Sequence, residues 1–112
     1  MSFDEGLAQR IREALHEYPG VSEKKMFGGL AFMSRGYMFV GILGDVLMAR
    51  VGAEEYDNAL TKPHVREMDF TGKPMTGYVF VDTPGIEHDA ELFAWIEQCH
   101  RYIKTLPPKK PK

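Results

Sequence analysis

The sequence predicts an α+β fold in which helices pack against an antiparallel sheet. Three observations predict it. Apolar residues recur at helical spacing near both ends, the middle alternates in period two between glycine-bearing turns, and 112 residues suit one domain with one core. The expected element order is α-β-β-β-α-β-β-α, with residues 1–106 as the domain and 107–112 as a disordered basic tail.

The first helix is read from "SFDEGLAQRIREALHEYPG". Ser2 and Glu5 have capping-box spacing, and Phe3, Leu7, Ile11, Ala14, Leu15 and Tyr18 form one stripe. Pro19-Gly20 ends the helix. Residues 26–51 read as a three-stranded meander with turns at Arg35-Gly36 and Gly44-Asp45. Two-residue turns at both places set a register. One face then carries Phe27, Ala31, Met33, Met38, Val40, Ile42, Leu47, Ala49 and Val51, the expected main core. The other carries Leu30, Phe32, Tyr37, Phe39, Leu43, Val46, Met48 and Arg50, with Phe39 between Phe32 and Arg50.

Residues 53–61 predict a short helix that needs tertiary support. A hairpin around Thr71-Gly72-Lys73-Pro74 and a turn at Asp82-Thr83-Pro84-Gly85 follow. The last helix, about 88–105, carries Leu92, Phe93, Ile96, Cys99 and Ile103 on one stripe.

The formal net charge is −2, and without the last four residues 11 positive and 16 negative side chains remain. An acidic body argues against tight non-specific nucleic-acid binding, whose affinity comes mostly from neutralised phosphates. Lys24, Lys25 and the basic tail keep a nucleic-acid-associated role as an alternative. A single cysteine excludes an internal disulfide and fits a reducing cytoplasm. The acidic start does not read as a signal peptide, and no apolar run reaches membrane-span length.

"KKMFGGLAF", residues 24–32, raises the question of a phosphate loop. Such a loop needs glycines leading into a helix N-terminus, with the Walker lysine after them. Here the lysines come first and a strand follows, so the glycines are read as a bulge or a close backbone approach, with a helix lying near Gly29. His16, His64, His88 and His100 form no ligand motif and are read as solvated or locally bonded. Cys99 sits on the apolar stripe and is read as core rather than nucleophile. The methionines are read as gap-fillers. Asp4-Glu5 and Glu54-Glu55 complement helix dipoles. No catalytic, cofactor-binding or metal-binding residue is assigned.

The candidate interaction face is Phe32, Tyr37, Phe39, Met48 and Arg50, whose composition is that of an interface, with a cation placed over aromatic rings. A helix of the same chain covering this face is the competing reading. A small-ligand site or minor enzyme at Lys25, Tyr37, Arg50 and Tyr78 is the alternative.

The chain resembles the TfoX/Sxy family. "KKMFGGLAF", Gly36, Phe39 and "VLMARV" are similar to the signature of the TfoX N-terminal domain. "MDFTGKPMTGYVFVD" and the helix with Trp95 are similar to its single-domain members. Met26, Phe27, Gly28 and Gly29 are its most specific part, supported by Met75 and Tyr78. The resemblance implies an α+β domain without known catalytic activity. In longer members it implies a competence regulator working with the cyclic-AMP receptor protein at promoters, through a chain that adds a C-terminal helical domain. The expectation is a non-enzymatic, cytoplasmic regulatory domain that needs no cofactor. It binds a protein partner or a second copy, without direct nucleic-acid or membrane contact.

Overall fold

The computed structural model describes residues 3–26, 28–68 and 75–107. Helices α1 (Glu5–Ala14), α2 (Ala53–Leu60) and α3 (Asp89–Ile103) pack on a sheet of β1 (Val21–Met26), β2 (Gly29–Ser34), β3 (Tyr37–Leu43), β4 (Val46–Arg50), β5 (Val65–Glu67) and β6 (Tyr78–Val81). The strand order is β1-β2-β3-β4-β6-β5, and every neighbouring pair is antiparallel. The α+β class and the succession of elements are as expected, with one strand more.

The added strand is β1. It pairs with β2 from Val21↔Ser34 to Met26↔Gly29, so the sheet starts before the "KKMFGG" glycines. Its exposed Ser22, Glu23, Lys24 and Lys25 give no apolar alternation. Charged residues are what a strand at the sheet edge uses to discourage further pairing. Phe27 lies outside the described residues.

α1 begins two residues later than its capping box implied. Asp4 is the N-cap, and its carboxylate accepts from Leu7 N at 3.0 Å. Ser2 lies outside the described residues. The predicted stripe is otherwise buried through Leu7, Ile11 and Leu15, the last in a single 3-10 turn.

The turns at 35–36 and 44–45 form as expected, and they set Ser34↔Tyr37, Met33↔Met38 and Leu43↔Val46. The ladder then shifts between Phe32 and Met33, so that Phe32 pairs with Val40 and Leu30 with Ile42. β3 therefore spends one extra residue, a β-bulge, opposite β2. A one-residue shift moves side chains to the other face. Leu30 and Phe32 thereby join Val40, Ile42, Leu47 and Ala49 in the core beneath the helices, and Phe39 is buried there too.

This corrects the predicted faces. Ala31 moves to the opposite face, where Met48 lies as expected and forms a second cluster with Met68 and Phe80, edged by Leu43, Val46 and Met75. The helix-covered core also takes Tyr56 and Ala59 of α2 and Leu92, Ile96, Cys99 and Ile103 of α3. Burying each large aliphatic side chain contributes about 1.5–3 kcal/mol before entropy is counted. Phe93 does not belong to this stripe and is 47% exposed, because it stands about 100° around the helix from Leu92. Trp95 takes the buried place instead, with the Lys62 ammonium 5.0 Å from its ring.

Gly29 is a close-approach glycine, but its neighbour is a strand. A Cβ there would lie 2.0 Å from the Ile42 carbonyl oxygen. Gly28, in the connection from β1 to β2, has φ +75° with nothing near its missing Cβ. β5 and β6 form the expected hairpin, with Met75 N donating to Met68 O at 3.0 Å. Its turn at 71–74 lies outside the described residues.

Candidate functional site

The site is built where β4 leaves the sheet. Val51 N and Gly52 N both donate to Gly77 O, at 2.8 and 3.0 Å. These bonds tie the exit of β4 to the entrance of β6. Gly52 takes φ +89°, and any Cβ on it would fall 2.5 Å from the Tyr102 ring. The absence of that side chain lets the last turn of α3 lie against the backbone. Arg50 and Tyr78 are directly paired across the β4–β6 ladder, so their side chains leave on one face. Tyr37 opens β3.

These four elements place three tyrosine rings around one guanidinium. The Arg50 Cζ lies 5.5 Å from the Tyr37 ring centroid, 5.4 Å from that of Tyr78 and 5.7 Å from that of Tyr102. All three fall within cation–π range. Arg50 also donates from Nη1 to Met38 O at 3.4 Å. The Tyr37 hydroxyl donates to Pro107 O. The ion pairs among the described residues are Arg10–Asp89, Arg12–Glu23 and Arg66–Asp82, so Arg50 has no carboxylate among them.

The predicted interaction face is thereby divided. Tyr37 and Arg50 are half-buried and meet in this cluster. Phe32, Phe39 and Met48 are 1%, 0% and 0% exposed and belong to the two cores. The cation over aromatic rings is present, with tyrosines in the place expected of Phe39. Of the four alternative ligand residues, Tyr37, Arg50 and Tyr78 come together, whereas Lys25 is exposed on the edge strand β1. Sequence reading missed Tyr102. It is separated from Arg50 by α2, β5 and β6, and its one signal was an aromatic just off the apolar stripe of α3.

His100 is not simply solvated. Its ring stands edge-on to Tyr18 at 4.6 Å and to Phe39 at 5.4 Å between centroids. Burial, then Lys104 and Arg35, pull its pKa below the ordinary histidine value. Burial pushes the Cys99 thiol up to about 12, which removes thiolate character near neutrality. Among the described residues no group of three or more His, Cys, Asp or Glu is arranged to hold a metal ion. No helix among them is long and apolar enough to cross a membrane.

A cavity of about 780 Å³ lies beside the cluster, between α2 and α3. Tyr102 forms part of its wall, and Glu54, Glu55, Lys62 and Arg101 bring both signs of charge to it.

Residues 13–103 match the family model described as the TfoX N-terminal domain. The chain belongs to the TfoX N-terminal domain family. The match covers the chain from the end of α1 to the end of α3, and this family is not a known enzyme family. No curated protein and no solved structure gave a significant match. In this TfoX N-terminal domain, Gly28 and Gly29 close the β1–β2 hairpin. They lie at the sheet's edge, on strands remote in order from β6 and its Tyr78.

Proposed function

We propose that this TfoX N-terminal domain is a non-enzymatic regulatory module that works by binding a protein partner at the Arg50–tyrosine cluster. The family supports a regulatory role. The observation that carries the binding reading is the convergence of Tyr37, Tyr78 and Tyr102 on Arg50. Tyrosine and arginine dominate interface hot spots because they offer large contact area with a polar end. The aromatic residues Phe32 and Phe39 are committed to the core, so docking falls to the end of the sheet rather than its face. A regulatory domain of this kind acts in the cytoplasm on a component of the transcription machinery, by contact with protein rather than DNA. The acidic body favours that division.

Quantitative capture from native extract tests the reading, using the wild-type chain and Arg50→Glu with matched unfolding curves. A partner retained by the wild type and lost by the variant is the expected result. Equal retention by both, or no specific partner of the wild type, overturns it.

A further inference from the structure

Arg50 is a partly buried cation whose surroundings are almost wholly aromatic. A guanidinium carries five N–H donors, and Arg50 uses one, at the long distance of 3.4 Å to Met38 O. No carboxylate of the described residues pairs with it. Three tyrosine rings stabilise the charge from their faces, but a π-face cannot accept the in-plane N–H bonds that a guanidinium makes best. The rings of Tyr78 and Tyr102 have their centroids 5.4 and 5.7 Å from the guanidinium carbon, and their hydroxyls make no hydrogen bond among the described residues.

Charged groups of both signs stand on the neighbouring elements. Arg35 donates to Ile103 O at 3.4 Å, which brings it to the end of α3 beside Tyr102 and Lys104. Arg101 stands on the cavity wall next to Tyr102. Glu54 and Glu55 face that cavity from the first turn of α2 and form the acidic limit of the region.

We propose that Arg50, Tyr78 and Tyr102 form a site for one oxyanion group, a carboxylate or a phosphate. The guanidinium edge would take two oxygens in a fork, the arrangement that makes arginine preferred for both groups. The tyrosine rings hold the fork in one orientation, and their hydroxyls add neutral donors. This site deepens the binding reading above: it rests on the same cluster and gives the partner an acidic contact group, either a side-chain or terminal carboxylate or a phosphoryl group.

Titration of the purified chain with inorganic phosphate, and separately with acetate, tests the proposal at constant ionic strength. The readout is the NMR signal of the Arg50 Nε–H and of the Tyr78 and Tyr102 amides. The expected result is a saturable shift of these signals with at least one of the two anions. Arg50→Lys keeps a charge but not the fork and should weaken binding about tenfold. Tyr102→Phe keeps the ring and should weaken it severalfold. Response to phosphate alone marks a phosphoryl-bearing ligand, and response to acetate a carboxylate; either supports the site. Shifts that never saturate, or a saturable response unchanged in Arg50→Lys, overturn it. No extract is needed, so a failed titration beside intact, Arg50-dependent capture removes the oxyanion site and leaves the protein-binding reading standing.

Discussion

Phe32 pairs with Val40 across β2 and β3, one residue further along β3 than the turn at 35–36 alone would place it. The extra residue leaves consecutive side chains, Phe39 and Val40, both fully buried in the helix-covered core. An unbulged ladder would make substitution costs alternate along residues 38–40. Here Phe39→Ala should lose about 3–5 kcal/mol as a large core truncation. Val40→Ala should also be costly, and half-buried Met38→Ala should lose about 1 kcal/mol. Urea unfolding of the three variants checks this; a cheap Phe39→Ala would restore the alternating register.

The two signature glycines should respond differently. Gly29→Ala drives a methyl group into the Ile42 carbonyl and should cost about 3 kcal/mol, at the upper end of overpacking. Gly28→Ala has open space but a left-handed backbone, and should cost about 1–2 kcal/mol. Gly28→Asn should recover part of that, since asparagine visits this conformation; at Gly29 asparagine should be no better than alanine. Thermal unfolding of the four variants separates a conformational requirement from a steric one.

How much was readable beforehand follows from the same residues. The stripes of α1 and α3 obey the 3.6 period, and the turn at 44–45 sets the β3–β4 register, so those parts could be read directly. Nothing in Met38-Phe39-Val40 marks a bulge, because three large apolar residues suit either register. β1 was hidden for the opposite reason: a strand at the edge has no apolar face to advertise. At the candidate site, Tyr37, Arg50 and Tyr78 were visible as residue types. Their meeting depends on β6 pairing with β4, and Tyr102 depends on how α3 crosses the sheet.

His100 predicts a pH dependence. Its folded-state pKa is lowered, so below the unfolded value of about 6.5 the unfolded chain binds the proton more readily. The neutral ring's contribution is complete above that value and is lost as pH falls from about 6.5 through the folded pKa. Urea unfolding at pH 7.5 and 5.5 should show a smaller decline for His100→Gln than for the wild type. An equal decline would assign the pH effect to other groups.

Cys99 should be chemically silent in the folded chain. A fully buried thiol with its pKa pushed up to about 12 offers neither access nor thiolate. A disulfide reagent at pH 8 should label it at the rate of transient opening, slowing when α3 is stabilised and accelerating in mild urea. Immediate stoichiometric labelling in native buffer would contradict this packing.

Trp95 gives the chain a built-in optical gauge. It is the one tryptophan in the sequence, and it is held where the Lys62 side chain, just beyond α2, lies over α3. Indole emission therefore reports on the seam between α2 and α3, while tyrosine absorbance is weighted towards the ring cluster around Arg50. A ligand that engages the cluster and leaves the seam alone would change one signal and spare the other. Local occupancy and global unfolding can thus be told apart by wavelength, without attaching any label.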